Sequence, residues 1–480
     1  TLYSIVFYLF CKKSIKKPSQ SLCIGLFTFK ITLPKPWPLL HWPAVVFETK
    51  VNSLKTSIRL STTYFIVHPM TSPWLHHFNK DVFDINQNRG ASPQDAPPKS
   101  LLNRHLPFED GSKARQEIKS WNNYQVTNLW DLDELSYELG VSQVWLKDES
   151  SRFGLGSFKA LGGAYAVYYV LSKLIFESTG EKDVTSTRLR SGEFVEILNN
   201  VTVVTATDGN HGKSVAWGAQ QFGCKCKIYL HAEVSQMREK AVSAFGCDIV
   251  RIKGNYDDSV RQADKDAQNN GWYVVSDTSY EGYRDVPSVV MQGYTTIAAE
   301  VAEQISGLHP THLFLPGGVG GIAASVSSEI SRVWGKLRPK TIIVEPKQAD
   351  CLYQSSLSGK PTVSSGNLQT VMACLSAGEV SILAWEILEK TANFFLRLSD
   401  STIGPAMKRL SAKNIVSGES GAATLAALAA ICSDKETKQL TGINENSRIL
   451  LISTEGATDP YIYKKLVGKD AEEIITSHPK

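Results

Sequence analysis

The chain has 480 residues, of which 42% are apolar and 20% charged, a composition typical of a globular protein of two or three domains and unlike that of a disordered chain. Its formal net charge of +4 comes from residues 1–69, which hold nine Lys or Arg and one acid, Glu48. From Met70 onward 42 basic residues are balanced by 46 acidic ones, so the charge does not indicate nucleic-acid binding.

The eight cysteines are scattered and form no CxxC pair. This spacing argues against a zinc site or a disulfide framework, and we expect free thiols in a reducing compartment and no metal. The opening run TLYSIVFYLFC is too short to span a bilayer and precedes its lysines, unlike a signal peptide. We expect residues 1–69 to be a translation artefact upstream of Met70, with an organelle presequence as the alternative.

From about residue 141 strand-like and helical patterns alternate along the chain. The predicted strands are VSQVWLKDE, VTVVTAT, CKIYLH, CDIVRIKG, WYVVSD, HLFLP, TIIVEP and RILLIS. The predicted helices include SFKALGGAYAVYYVLSKLIF, HGKSVAWGAQQF, SQMREKAVSAFG, YDDSVRQADKDAQ, PSVVMQGYTTIAAEVAEQI and NIVSGESGAATLAALAAI. Such alternation is typical of βαβ units, so we predict an α/β fold with mostly parallel sheets flanked by helices.

In open parallel sheets, ligands bind beyond the carboxyl ends of the strands. Three predicted strands end in small or polar residues, at TDGNHG (207–212), GGVGG (317–321) and STEG (453–456). Lys159, in SFK at the start of a predicted helix, could face the same crevice. By itself this lysine would be taken for a surface charge, since most lysines are exposed.

The glycine-rich segments match two nucleotide-binding patterns. TDGNHGKS approaches the P-loop, but Thr207 stands where the first glycine is required, which disfavours an NTPase. In GGVGGIA, Gly318, Gly320 and Ala323 fit the GxGxxA pattern of dinucleotide sites, and Glu345 ends the next strand where a ribose-binding acid would lie. An NAD enzyme is therefore one interpretation of this segment.

A cup for a single phosphate is the other interpretation of GGVGG. The backbone N–H groups of Gly318, Val319, Gly320 and Gly321, at a helix N-terminus, would hold one phosphate. This interpretation needs fewer residues than a dinucleotide site. It also leaves a role for Lys159, which the NAD interpretation does not.

The runs RFGLGSFKALGGAYA, TATDGNHGKSVAWGAQQFG, CLSAGEVSILAWEIL, SGESGAA and LISTEGATDPYIY occur in this order, together with the GGVGG loop. They resemble the pyridoxal-phosphate (PLP) enzymes of the tryptophan-synthase β family (fold type II), and within it most closely the diaminopropionate ammonia-lyases. The resemblance covers about residues 110 to 468 and implies two domains, each with a mostly parallel sheet, and an active site in the cleft between them.

We predict a division of the chain into four parts. Residues 1–69 are the doubtful leader, and 70–150 form an N-terminal arm and the start of the large domain. Residues 151–280 form a smaller domain with Lys159 and the TDGNHG loop. Residues 281–480 complete the large domain and carry the GGVGG loop that would hold the phosphate.

The resemblance implies two catalytic residues. Lys159 would form the Schiff base with PLP, which requires a deprotonated amine. Asp208 would be a second base on the opposite face of the cofactor, because removing the Cα proton from two enantiomers needs two bases. The structural alternative for Asp208 is an N-cap of the following helix.

The resemblance also implies how the cofactor is held. Asn210 would hydrogen-bond to the phenolic oxygen of PLP, while the glycine cup binds its phosphate. Ser453 would meet the pyridine nitrogen with a neutral hydroxyl, with Thr454 as the alternative. A neutral partner at this nitrogen suits elimination better than an aspartate that protonates the ring.

The reaction that the resemblance implies is α,β-elimination of ammonia from D- or L-2,3-diaminopropionate, which yields pyruvate and ammonia. A serine/threonine dehydratase on the same fold is the second interpretation, and an NAD-dependent oxidoreductase is the third. We also expect a cytoplasmic homodimer that acts on a small amino acid and has no nucleic-acid or membrane partner.

Overall fold

The predicted alternation of strands and helices is present in the fold. The computed structural model describes residues 3–10, 24–31, 72–88, 90–91, 97, 99–207, 209–232, 234–254 and 256–476. Within them the strands are β1 (Tyr3–Phe10), β2 (Ile24–Ile31), β3 (Phe83–Gln87), β4 (Leu129–Asp131), β5 (Gln143–Asp148), β6 (Thr202–Ala206), β7 (Lys225–His231), β8 (Asp248–Ile252), β9 (Tyr273–Val274), β10 (His312–Pro316), β11 (Lys340–Pro346), β12 (Phe394–Leu398) and β13 (Arg448–Ser453).

The α-helices that the structure describes all follow β3 in the chain. They are α1 (Lys99–His105), α2 (Phe108–Lys119), α3 (Asp133–Leu139), α4 (Ala160–Thr179), α5 (Ser186–Arg190), α6 (Val195–Leu198), α7 (Asn210–Phe222), α8 (Gln236–Ser243), α9 (Tyr256–Asn270), α10 (Asp285–Gln304), α11 (Gly321–Trp334), α12 (Cys351–Ser358), α13 (Ile382–Thr391), α14 (Ile403–Ser411), α15 (Ala423–Ser433), α16 (Lys435–Thr441), α17 (Pro460–Val467) and α18 (Ala471–Thr476).

The larger sheet has seven strands in the order β3-β12-β11-β10-β13-β5-β4. Its inner strands are parallel, and the edge strands β3 and β4 run antiparallel to their neighbours. The inner strand β10 (HLFLP) is buried at every position, as a strand covered on both faces must be. Because β10 and β13 are parallel neighbours, the GGVGG and STEG segments begin at the same edge of this sheet.

The smaller sheet has four parallel strands in the order β8-β7-β6-β9. All four come from residues 202–274, inside the segment expected to form the smaller domain. The α/β class with mostly parallel sheets is thus confirmed, while the exact domain boundaries stay a prediction. The carboxyl end of β6 leads directly into the TDGNHG segment.

Helix α4 lies against both α7 and α10, and two glycines make this close packing possible. A Cβ atom on Gly162 would lie 2.4 Å from the ring of Tyr294 on α10, and one on Gly163 would lie 2.5 Å from Ser214 Oγ on α7. Both distances are far below van der Waals contact. The pair GG at the start of α4 therefore sets Lys159, the residue before the helix, at the meeting point of three helices.

By their contacts the residues fall into two units, 1–70 and 71–480. In the first unit, β1 and β2 pair antiparallel, from Tyr3 opposite Ile31 to Phe10 opposite Ile24. The second unit contains the seven-stranded and four-stranded sheets. In the part of the chain that the structure describes, no helix is both long and apolar enough to cross a membrane.

Candidate active site

One pocket gathers the segments that were expected to share a site. Among the residues predicted to act on the cofactor, those that line it are Lys159, Asn210, Gly318, Val319 and Gly321. Asp277, Tyr294 and Thr454, which had no firm role in the predictions, line it as well. These residues belong to six different segments of the chain, so the pocket exists only in the folded protein.

Lys159 places an amine in this pocket. Its ammonium forms an ion pair with Asp277, and its side chain is 17% exposed. The nitrogen also lies 5.2 Å from the ring centroid of Phe158 and 5.9 Å from that of Tyr294. One carboxylate and two aromatic faces therefore surround an amine that opens toward the pocket.

The charges of this pair stabilise each other. Burial alone would lower the pKa of Lys159, but the Asp277 carboxylate outweighs it, and the pKa lies above its ordinary value. Burial would raise the pKa of Asp277, but the Lys159 ammonium outweighs it, and the pKa lies well below its usual range. Burial lowers the pKa of His211, whose Nε2 lies 2.8 Å from the Val275 carbonyl. A neutral His211 thus donates to Val275 and packs behind Asp277.

The TDGNHG turn is closed by Thr207. Its hydroxyl accepts hydrogen bonds from the backbone N–H groups of Gly209 and Gly212, both at 3.0 Å. This is the capping role that the sequence left open for Asp208. Asp208 lies outside the described residues, and its role as a base stays a prediction.

Asn210 begins α7 and turns its side chain to a group that the sequence did not indicate. Its amide nitrogen Nδ2 donates to Glu455 Oε2 at 2.6 Å and lies 3.2 Å from Cys374 Sγ. Asn210 and Cys374 both line the pocket. Glu455 of the STEG segment therefore holds one side of the Asn210 amide.

The GGVGG loop has the backbone that a phosphate cup requires. Gly318 and Gly320 have φ angles of +58° and +99°, which favour glycine. A Cβ on Gly320 would lie 2.9 Å from Ala384 Cβ, so Gly320 packs against α13 instead of lining the pocket. Ser381 N–H donates to the Val319 carbonyl at 3.0 Å. Gly321 and Ile322, the first residues of α11, line the pocket, and the N–H groups at a helix start have no partner within the helix.

At the end of β13 the pocket is reached by Thr454 and not by Ser453. Ser453 is fully buried, and its hydroxyl lies 2.8 Å from the hydroxyl of Ser417. Alternation along a strand explains the difference, because neighbouring side chains point to opposite faces. Of the two hydroxyls considered for the pyridine nitrogen, the geometry favours Thr454.

Glu345, the acid that the NAD interpretation needs for a ribose, serves another purpose. It is fully buried and accepts the backbone N–H groups of Leu352 at 2.9 Å and Tyr353 at 2.7 Å. Burial raises its pKa to about 8. Both of its oxygens accept N–H groups at the start of α12. A dinucleotide site at GGVGGIA would therefore lack the acid that binds the ribose.

The model of the family described as "Pyridoxal-phosphate dependent enzyme" matches residues 121–455 of the chain. This span contains the pocket lysine, the glycine loop and Thr454. The chain belongs to the pyridoxal-phosphate dependent enzyme family. The fold type and the cofactor expected from the sequence are thereby confirmed, and the NAD interpretation is set aside.

Within this family the chain is similar to diaminopropionate ammonia-lyases. It is 40% identical to that of Escherichia coli (strain K12) over 372 residues, which are 75% of this chain and 92% of the relative. A solved structure of the Escherichia coli enzyme with an aminoacrylate-PLP azomethine reaction intermediate has a TM-score of 0.71 and 36% identity, and the match covers 81% of this chain and 97% of that one. A second structure, in complex with D-serine, has a TM-score of 0.72 and 35% identity and covers 80% and 96%.

The pocket fits the chemical groups of PLP. Lys159 offers an amine to its aldehyde, and the N–H groups at the start of α11 suit its phosphate. The hydroxyl of Tyr294 is buried and has no hydrogen-bond partner among the described residues, so a polar ligand in the pocket would satisfy it. Thr454 supplies a neutral hydroxyl. No group in this set conflicts with the cofactor.

Sequence reasoning missed Asp277, Tyr294 and Glu455. A signal existed for Asp277, because it is the last residue of the predicted strand WYVVSD, and ligands bind beyond the carboxyl ends of parallel strands. Tyr294 lies in the middle of α10, where an aromatic residue on an apolar helix face is normally core. Glu455 stands in the quoted STEG segment, but nothing local to that segment indicates its partner.

Proposed function

We propose that this chain catalyses the α,β-elimination of ammonia from 2,3-diaminopropionate, yielding pyruvate and ammonia. The observation that carries the proposal is the Lys159–Asp277 pair in the same pocket as the glycine loop, in a chain 40% identical to diaminopropionate ammonia-lyases. Bound PLP supplies an aldehyde that condenses with the substrate amine and a ring that withdraws electrons from the substrate Cα.

Lys159 moves protons on its side of the substrate. Ammonia leaves from the β-carbon only as a protonated amine, so the reaction needs a general acid. The Lys159 ammonium is stabilised by Asp277, which keeps a proton ready at this position. As a free amine, Lys159 takes the Cα proton from the same side. Asp277 thus orients the amine and balances the charge that it gains and loses.

A second base on the other side is assigned to Asp208. Its chain neighbours Thr207 and Gly209 line the pocket, which supports the assignment. Asp208→Asn should lower kcat for the D-isomer about 100-fold and leave the L-isomer less affected, since Lys159 remains. Separate assays on the two isomers measure this. Equal losses on both would remove Asp208 as a face-specific base.

Dehydration of serine is the second candidate. The solved structure of the Escherichia coli enzyme in complex with D-serine supports entry of a β-hydroxy amino acid into such a pocket. Hydroxide and ammonia are both poor leaving groups, so both reactions use the same acid. The two candidates differ only in the β-substituent that is expelled.

The protein is further proposed to act as a homodimer in the cytoplasm. The cysteines in the described residues are free, which supports a reducing compartment. The resemblance to ammonia-lyases supports the dimer. Sedimentation of the purified chain measures its mass, and a monomer with full activity would contradict the dimer.

A substrate panel tests the proposed function. The full chain, loaded with PLP, is given D- and L-2,3-diaminopropionate and D- and L-serine, and pyruvate and ammonia are measured. We expect two ammonia molecules per pyruvate from diaminopropionate and a kcat/KM at least about 100-fold above that for serine, the discrimination typical of one well-placed polar contact. A chain that converts serine faster is a dehydratase, and one that converts neither refutes the proposal.

A further inference from the structure

Glu455 is buried beside the pocket and gathers donors from several segments. It is 1% exposed. Its Oε2 accepts from Asn210 Nδ2 at 2.6 Å and from Thr458 Oγ1 at 3.0 Å, and Cys374 Sγ lies 3.2 Å away. Its Oε1 accepts the backbone N–H of Ser420 at 3.2 Å. One carboxylate therefore connects the start of α7 to two loops and to its own turn.

The backbone around Glu455 is bound to the turn that presents the pocket lysine. The N–H of Gly456 donates to the Gly156 carbonyl at 3.0 Å. The N–H of Phe158 donates to the Thr454 carbonyl at 3.1 Å. These bonds hold the carboxylate in a fixed position relative to the amine, so it is a rigid reference point for the Asn210 amide.

A second acid, Glu419, is buried in the same cluster as Glu455. Glu419 is 1% exposed, and its Oε1 has no hydrogen-bond partner among the described residues. Burial and then the charge of Glu455 raise the pKa of Glu419 to about 8. Burial lowers the pKa of Arg238, while Cys374 and the acids raise it above its ordinary value. Glu455 itself meets the Asn210 amide, the Thr458 hydroxyl and the Ser420 N–H, which all donate to it, so the hydrogen-bond geometry makes it an acceptor.

An ionised carboxylate decides which end of a neighbouring amide faces it. The nitrogen and oxygen ends of Asn are alike in shape, but only the NH2 end can donate to a carboxylate. One N–H of Asn210 is committed to Glu455, and the other has only the weak acceptor Cys374 Sγ at 3.2 Å. A phenolate oxygen in the pocket would be a stronger acceptor than this sulfur.

We propose that Glu455 is a positioning residue that fixes the Asn210 amide so that its second N–H is offered to the phenolic oxygen of PLP. The inference rests on the proposed function, because it needs the cofactor in this pocket. It goes beyond that function in naming the group that orients Asn210. Without the carboxylate charge, the amide is free to turn its oxygen to the pocket, and the phenolate loses its donor.

Glu455→Gln in the full chain is the direct test. The glutamine has the shape of Glu455 but can present an NH2 group to Asn210. The absorption spectrum of protein-bound PLP, recorded without substrate, should lose part of its long-wavelength phenolate band. The kcat/KM for diaminopropionate should fall about 100-fold, as expected for a misplaced cofactor contact. Glu472→Gln, at an exposed glutamate, is the control and should leave both readouts unchanged.

A double-mutant cycle separates this role from a purely structural one. If Glu455 acts through Asn210, then adding Glu455→Gln to Asn210→Ala should lower kcat/KM by no more than about twofold beyond Asn210→Ala alone. Independent, additive losses would overturn the proposal. An unchanged spectrum of folded Glu455→Gln would overturn it as well.

Thr458→Val decides the matter if Glu455→Gln does not fold. It removes one hydrogen bond that orients the carboxylate and keeps the charge. The phenolate band should then weaken in the same direction but by less, and an unchanged band would refute the proposal. A wild-type chain that shows no Lys159-dependent PLP band would refute the proposed function instead, so the two failures are distinguishable.

Discussion

Two lysines of this fold are removed from water in opposite ways. Lys147 on β5 is fully buried, and its ammonium donates to the Thr127 carbonyl at 2.9 Å, to Glu300 at 2.6 Å and to Gln304 at 2.8 Å. Lys159 has a single carboxylate partner among the described residues and keeps 17% of its side chain exposed at the pocket. The first lysine uses all three of its donors, and the second does not.

The two environments shift the pKa in opposite directions. Burial lowers the pKa of Lys147, although Glu149 and Glu300 oppose it, whereas Asp277 overcomes burial and raises the pKa of Lys159. A buried charge whose hydrogen bonds are all satisfied holds segments together. A buried charge with donors left over at a cavity can exchange a proton with a ligand. Unused hydrogen-bonding capacity at the pocket, and not burial, distinguishes Lys159, the proposed catalytic lysine, from Lys147.

Removal of the pocket amine should have the largest effect. Lys159→Ala should lower kcat for both isomers of diaminopropionate at least about 1000-fold, because covalent and acid–base roles are lost together. Lys173→Ala, on the helix that follows Lys159 and with 51% of its side chain exposed, is the matched control and should keep wild-type turnover. Pyruvate formation measures both. Activity of Lys159→Ala above about a tenth of wild type would contradict the proposed role of Lys159 in the reaction.

The buried cluster of Lys147, Arg152 and Glu300 is called the saturated cluster here, because its charges are paired with one another. Its disruption should lower the free energy of unfolding and leave kcat unchanged. Glu300 pairs with both Lys147 and Arg152, so Glu300→Gln leaves buried charge uncompensated and should cost about 3 kcal/mol of unfolding free energy. Denaturant titration measures this. Glu303→Gln, on the same helix with 62% of its side chain exposed, should be neutral. A large loss of kcat in folded Glu300→Gln would show that the cluster is not merely structural.

Asp277→Asn tests whether Asp277 controls the pKa of Lys159. Without the carboxylate, the main opposition to burial is lost and the pKa of Lys159 falls, so the neutral amine needed to condense with PLP is present at lower pH. The midpoint of cofactor uptake should therefore move to lower pH, as followed by absorbance of the reconstituted chain. We also expect kcat to fall about 100-fold. An unchanged midpoint would show that Asp277 does not control the amine.

The smallest expected effect comes from removing one hydrogen-bond acceptor of Lys147 in the saturated cluster. Gln304→Met removes one of the three acceptors of Lys147 and leaves a buried donor unpaired, which should cost about 1 kcal/mol. Turnover should not change, because the pocket amine is untouched. Denaturant titration and pyruvate formation on the same preparation check both statements. A loss of turnover without a loss of stability would contradict the division between the two lysines.

Much of the fold follows from patterns inside single segments. Strands such as HLFLP (β10) and helices such as α4 were predicted because their periodicity and β-branched or apolar content act over a few residues. The predicted strand WYVVSD is longer than observed, since β9 covers only Tyr273–Val274. At an edge of the small sheet only pairing decides where a strand ends, and pairing is not local.

Sequence patterns alone predicted the element types, the glycine turn at 317–321, the lysine at the mouth of α4 and the family resemblance, because each depends on neighbouring residues. The tertiary structure alone decided that Asp277 meets Lys159, that Thr454 and not Ser453 reaches the pocket, and that Glu455 holds Asn210. These contacts join residues far apart in the chain. They depend on how sheets and helices pack, and a one-residue change of register along β13 would exchange which hydroxyl reaches the pocket.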